Sequence, residues 1–209
     1  MTVPVAILDR DGTLIDVVRD EETGAIGVAF HPSHLRLLRG AVDGMRALQD
    51  AGYVLAMATN QPAPAKGQFS ADAVRRTNDA LLALLAEQGV RIAAVEVCMH
   101  HPEGGAGGDP ALVKRCDCRK PRPGMLTALV ERLDADPARS WMIGDGAGDI
   151  EAGRAAGLRT ALVFASNRCE LCPLRDGPRG LAPDVHGASL VEVANGILRA
   201  SGRVLKGLH

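Results

Sequence analysis

Five short apolar runs, at residues 3–8, 53–58, 94–97, 141–143 and 160–164, are separated by stretches with helical spacing. Runs this short and this continuous suit strands buried on both faces. Between them, Val42, Met45 and Leu48 mark a helix that Gly52 can end. Ser70 is placed to cap a helix bearing Val74, Leu81, Leu82 and Leu85. Leu126, Leu129, Val130 and Leu133 recur at i, i+3, i+4 and i+7 just after Pro123, and residues 190–199 form a last helix. Strand and helix in alternation specify an α/β fold, a mostly parallel sheet with helices on both faces. No repeat or linker divides it, so residues 1–200 are expected to be one domain and 201–209 a frayed tail.

Two segments break the alternation. Residues 17–30 hold the turn signal Glu22-Thr23-Gly24 between short runs containing Val and Ile, which predicts a β-hairpin able to act as a flap. Residues 98–120 form a Gly- and Cys-rich loop with no periodicity, and loops that long are uncommon unless they are functional.

The strand ends hold the chemistry. In open α/β sheets, ligands bind beyond the carboxyl ends of the strands. Asp9-Arg10-Asp11-Gly12-Thr13 follows the first run directly. Two carboxylates so close need a cation or a shared proton, and a divalent metal with phosphate chemistry meets that need. Thr59, Asn60 and Gln61 follow the second run and offer a hydroxyl and N–H groups to phosphoryl oxygens. Arg119 and Lys120 supply a planar fork and a point charge ahead of the Pro123 helix. Gly144-Asp145-Gly146-Ala147-Gly148-Asp149 follows the fourth run, and its carboxylates among glycines suit Mg²⁺, which takes oxygen ligands.

Cysteine usage points to a second metal. Cys98-Met99-His100 and Cys116-Asp117-Cys118 offer three thiolates and an imidazole, the composition of closed structural zinc sites. His101 competes with His100 as the fourth ligand. Zinc would fasten a loop that has no core of its own and set Arg119 and Lys120 immediately after it. The remaining pair, Cys169 and Cys172, reads as an incidental loop pair.

Taken in order, strand ends bearing Asp-x-Asp, Thr, Lys and Gly-Asp-x-x-x-Asp resemble the four motifs of haloacid dehalogenase (HAD) superfamily phosphatases over residues 3–165. The resemblance implies a HAD-like, Rossmannoid three-layer sandwich. Asp9 would be the nucleophile that forms an aspartyl-phosphate, and Asp11 the acid that protonates the leaving alkoxide and then activates water. Asp9, the backbone carbonyl of Asp11 and Asp145 would hold Mg²⁺, with Asp149 acting through water or orienting those ligands. Thr59 and Lys120 would steady the phosphoryl group in flight.

The run from Cys98 through His100-His101-Pro102-Glu103-Gly104 and Cys116-Asp117-Cys118-Arg119-Lys120-Pro121 to Pro123-Gly124-Met125 is similar to the bacterial D-glycero-D-manno-heptose 1,7-bisphosphate phosphatases. That family spacing favours His100 as the zinc ligand. The resemblance also implies no large cap domain, a phosphorylated sugar as substrate, and Asn60, Gln61, Lys66 and Arg119 as substrate-binding residues, with Arg119 on the distal part. The expected reaction removes the 7-phosphate and leaves heptose 1-phosphate, for nucleotide-heptose synthesis serving lipopolysaccharide, capsule or another glycoconjugate. Histidinol-phosphate phosphatase, which shares the zinc loop and Thr-Asn-Gln, is the nearest alternative, followed by another small sugar phosphatase. Gly146 stands where that family commonly has Lys, Pro62-Ala63-Pro64 replaces its usual turn, and the hairpin is longer.

Composition opposes other classes. A formal net charge of −1 and 2% aromatic residues argue against a nucleic-acid phosphatase. A binding protein on a degenerate scaffold would have lost a catalytic residue, and none of Asp9, Asp11, Thr59, Lys120 or Asp145 is lost. No apolar run approaches the ~20 residues of a membrane span, so a cytoplasmic monomer without membrane or nucleic-acid partners is expected. His31 and His34 read as surface residues, and Trp141, Tyr53 and the three phenylalanines as core.

Overall fold

The computed structural model describes residues 2–19, 26–164 and 182–202. Its centre is β1 (Val5–Leu8), buried along its whole length. β1 pairs in parallel with β4 (Val54–Asn60) on one side and β6 (Trp141–Gly144) on the other. β5 (Ile92–Cys98) extends the sheet beyond β4, and β7 (Arg159–Val163) and β8 (Val185–Gly187) extend it beyond β6. The order is β5-β4-β1-β6-β7-β8, and every pairing in this sheet is parallel.

Period-2 alternation along the strands splits the core into two layers. Ala6 and Leu8 of β1 face α1 (Ala41–Asp50), α2 (Ala71–Glu87) and α5 (Leu190–Ala200), together with Leu55, Met57, Trp141 and Ile143. Val5 and Ile7 point to the opposite face, where Met125, Leu126 and Leu129 of α3 (Gly124–Arg132) and Ala152 of α4 (Ala147–Ala155) cover them. Helix–sheet–helix is therefore the layering, as in HAD-like folds. Ser70 does cap α2, its hydroxyl accepting from Ala73 N, and the chain turns after α1 at Gly52, whose φ is 85°.

The structure departs from the sequence expectations in three places. β8 is absent from the apolar pattern because it is a three-residue edge strand with a polar centre. Asp184 anchors it instead, its Oδ2 accepting from Thr160 N at 2.8 Å and Thr160 Oγ1 at 3.0 Å. α4 was hidden by its glycines, yet Gly153 is needed there: a Cβ would lie 2.8 Å from both Met142 and Thr160 side chains. Phe30 and Phe69 are not core, whereas Phe164 packs, partly buried, against Ile150 and Leu162. Phe30 stacks on Phe69 at 3.7 Å between ring centres, with His34 edge-on at 4.4 Å, in a half-buried cluster. Trp141 and Tyr53 are buried as expected.

β2 (Val18–Arg19) pairs antiparallel with β3 (Ile26–Gly27). The turn at Glu22-Thr23-Gly24 lies outside the described residues, as do Cys169 and Cys172. No helix among the described residues is long and apolar enough to cross a membrane.

Candidate active site and loop metal centre

Asp9 N donates to Ile143 O at 2.9 Å, so the nucleophile candidate sits where β1 and β6 end together. Strands later in the chain are added first on the β4 side of β1 and then on the β6 side, which opens a crevice at this switch point. Asp145 follows β6 directly and Thr59 lies near the end of β4. Carboxylate oxygens of Asp9, Asp145 and Asp149 lie within 4.8 Å of one another. Gly12 makes room for them: its φ is 83°, and a Cβ there would come within 1.9 Å of Asp145 Oδ2.

Lys120 reaches this cluster from the far side. Its Nζ lies 2.7 Å from Asp9 Oδ1 and 2.6 Å from Asp149 Oδ1, and donates to Ala58 O at 2.8 Å. Burial alone would lower its pKa, but the Asp9 and Asp149 carboxylates outweigh that and hold the ammonium charged. Asp149 Oδ2 also accepts from Gly146 N at 3.1 Å, closing the first turn of α4. Asp149 is thus committed to Lys120 and to its own helix.

Asp11 is gripped from two sides. Arg10 presents Nε to Oδ2 at 3.0 Å and Nη2 to Oδ1 at 3.1 Å, and Gln61 Nε2 donates to Oδ2 at 2.6 Å. Burial nevertheless raises the Asp11 pKa above the ordinary carboxylate range, with Arg10 pulling the other way. A carboxyl held towards its protonated form suits a proton donor. Gln61 Nε2 also donates to Thr59 Oγ1 at 2.9 Å, so it braces Asp11 and Thr59 together. Asn60 turns both ends of its amide to the backbone of Lys120, with Nδ2 to the carbonyl at 3.0 Å and Oδ1 to the N–H at 3.1 Å. Asn60 and Gln61, expected to touch substrate, also brace other site residues, and Gln61 Oε1 is buried with no hydrogen-bond partner among the described residues.

The loop cluster joins the same end of the sheet. Cys98 ends β5, and its carbonyl accepts from Gln61 N at 2.7 Å. Cys98 Sγ lies 3.7 Å from Cys116 Sγ and 3.3 Å from Cys118 Sγ, and the latter two are 3.2 Å apart. His100 Nδ1 is 3.8 Å from Cys98 Sγ and 3.2 Å from Cys118 Sγ. Bonds of ~2.3 Å to sulfur and ~2.0 Å to nitrogen imply tetrahedral edges of about 3.5–3.8 Å. The donors stand close to that size, and their soft chemistry fits zinc. Burial pushes the Cys98 and Cys118 thiols up, a cost that a bound divalent ion removes by taking them as thiolates. His101 is occupied elsewhere. Its Nδ1 accepts from Glu103 N and Gly104 N, and its backbone bridges to Val113.

Glycines lock this loop against the Pro62–Gly67 turn. A Cβ on Gly108 would lie 1.9 Å from Ala65 O, and one on Gly105 2.5 Å from Lys66 O. Lys66 and Arg119 thereby approach His101, whose pKa burial and these two cations depress. An open cleft of about 340 Å³ runs outward from Lys120, with Lys114, Arg115, Arg119 and Arg122 along it and Glu103 as its one acid. Arg119 Nη1 is buried with no hydrogen-bond partner among the described residues. Arg10, fully buried, was the residue that sequence reading passed over. Its signal was a large cation between two carboxylates at the end of an apolar strand.

Comparison with known proteins matches the geometry. The HAD-hydrolase-like family model matches residues 117–188. D-glycero-beta-D-manno-heptose-1,7-bisphosphate 7-phosphatase of Rhodopseudomonas palustris is 39% identical over 155 residues, 74% of this chain and 80% of that one. Its namesake in Pasteurella multocida is 33% identical over 162 residues, 77% of this chain and 81% of that one. D,D-heptose 1,7-bisphosphate phosphatase from B. bronchiseptica, crystallised with magnesium and phosphate, superposes with a TM-score of 0.74 at 29% identity, covering 94% of this chain and 99% of that one.

Proposed function

Because the chain belongs to the D-glycero-beta-D-manno-heptose-1,7-bisphosphate 7-phosphatase family, we propose that it removes the 7-phosphate of that bisphosphate and leaves heptose 1-phosphate. The observation that carries this reading is the continuity between the Asp9–Lys120–Asp145 cluster and the basic cleft. One phosphate would react at Asp9 while the other rests among Arg119, Lys66 and the cleft cations. Arg119, whose Nη1 has no partner among the described residues, has the planar fork that suits a phosphate.

An oxygen of Asp9 attacks phosphorus, forming the aspartyl-phosphate as the bond from phosphorus to the sugar oxygen breaks. Asp11 gives its proton to that departing oxygen. It then takes a proton from the water that attacks the same phosphorus, and the bond to Asp9 breaks to release inorganic phosphate. Lys120 and Thr59 face the charge that gathers on the equatorial oxygens. Asp9, Asp145 and the Asp11 carbonyl would hold Mg²⁺, which supplies further charge neutralisation there. Cys98, His100, Cys116 and Cys118 would hold zinc as a fastener of the loop. Residues 17–30 would serve as the flap. On this reading the protein works as a cytoplasmic monomer on a small diffusible sugar phosphate, in nucleotide-heptose synthesis.

The test is phosphate release from heptose 1,7-bisphosphate, histidinol phosphate and fructose 1,6-bisphosphate, with the product sugar analysed for its remaining phosphate. The heptose should be strongly preferred and should keep its 1-phosphate. A preference for histidinol phosphate overturns the substrate, and appreciable turnover by Asp9→Asn overturns the nucleophile.

A further inference from the structure

Arg10 is fully buried, and each of its three guanidinium nitrogens donates at least one hydrogen bond. Nε and Nη2 hold the two oxygens of Asp11 at 3.0 and 3.1 Å. Nη1 donates to Asn78 Oδ1 on α2 at 2.7 Å, and Nη2 also donates to Ala29 O at 2.9 Å, just past the hairpin strand β3. Asn78 is itself buried and lies one residue after Thr77, whose hydroxyl is spent on Ala73 O within the helix. An arginine so deep cannot be explained by surface solubility, and burying it is costly unless its geometry is fully used. Its two-pronged grip fixes the plane of the Asp11 carboxylate, which a single contact would leave free to rotate.

From this arrangement we infer that Arg10 and Asn78 are positioning residues for the proton transfer by Asp11: Asn78 fixes Arg10, and Arg10 fixes the carboxyl that faces the leaving oxygen. The inference rests on the proposed phosphatase chemistry and names two residues that this chemistry would otherwise leave out. A proton donor helps only if it stands within hydrogen-bond reach of the departing oxygen. Its orientation therefore matters most for a poor leaving group. A sugar alkoxide needs the proton, whereas 4-nitrophenolate departs readily without it.

Leaving-group dependence provides the test, because kcat/KM reports steps up to cleavage of the ester bond. Asn78→Ala and Arg10→Lys, checked for folding by thermal melting, are compared with wild type on heptose 1,7-bisphosphate and on 4-nitrophenyl phosphate. Asp11→Asn is the reference, and should lose at least about 10²-fold more on the sugar than on the aryl ester. Asn78→Ala should move the same ratio in the same direction by about tenfold, a fraction of the full effect of the acid. If Asn78→Ala lowers both substrates equally, or neither, while Asp11→Asn shifts the ratio, the positioning role is overturned and the acid assignment stands. If Asp11→Asn leaves the ratio unchanged, the acid assignment fails, and this inference fails with it. Should Arg10→Lys not fold, Asn78→Ala still decides, since it removes a single contact on a helix.

Discussion

Lys120 is the residue on which the charge balance of the site turns. Three carboxylates converge within 4.8 Å, and its ammonium touches two of them. Like charges packed at that distance in a partly desolvated crevice repel strongly, so any cation that enters stabilises the fold as well as the chemistry. Lys120→Met keeps the length of the side chain and removes the charge. Turnover should fall by about 10²–10³, the range seen when one preorganised charge partner is lost at a developing anion. The melting temperature should also fall in metal-free protein. Added Mg²⁺ should raise it by more in the variant than in wild type, because the metal then faces carboxylates with no competing ammonium. An equal Mg²⁺ shift in both proteins, read by thermal melting, would show that the lysine and the metal do not share these oxygens.

At the scale of elements, the Cys98–Lys120 loop is held by two devices, a cluster of soft ligands suited to zinc and an interlock of glycines. They should separate experimentally. Cys118→Ser should cut bound zinc, measured by metal analysis, and lower kcat/KM even at saturating Mg²⁺. Arg119 and Lys120 follow that cysteine directly, and a misplacement of ~1 Å at such groups costs on the order of 10²-fold. Gly108→Val should keep its zinc but raise KM, because the side chain must push against Ala65 O, 1.9 Å from the Cβ position, and displace the Lys66 turn. If both variants lose zinc, the interlock is part of the metal site. The ligand cluster of this element was legible in the sequence, since ligand chemistry is written in residue type: three cysteines and a histidine suit a soft metal wherever the loop runs. The interlock was not legible. Glycine in a loop reports freedom, and only the fold shows that the space is filled by another backbone. For the same reason the bracing by Asn60 and Gln61 was not legible: one amide bonds to Lys120 and the other to Asp11 and Thr59.

The whole molecule divides its labour across the sheet. The five apolar runs foretold the parallel architecture because a strand covered on both faces has no choice but to be apolar. The edge strand Val185–Gly187 escaped notice because it is anchored by Asp184 rather than by burial. The candidate catalytic residues sit at or beyond the carboxyl ends of β1, β4 and β6, while α1 and α5 pack together and cover one face. Ile197 lies fully buried in that layer, on a helix whose main other contacts are to β7 and β8. Ile197→Ala should cost about 2–5 kcal/mol of stability through lost contacts and the cavity left behind. In a chain of this length that is a fall in melting temperature of roughly 4–20 °C. Well below the transition, kcat/KM per folded molecule should stay within twofold of wild type, since the main contacts of α5 are to α1, β7 and β8. Melting curves and initial rates at 20 °C on the same preparation check both halves. A loss of kcat/KM that tracks the loss of stability would mean that the helical layer sets the spacing of the strand ends, and that the site is tuned from the far side of the sheet.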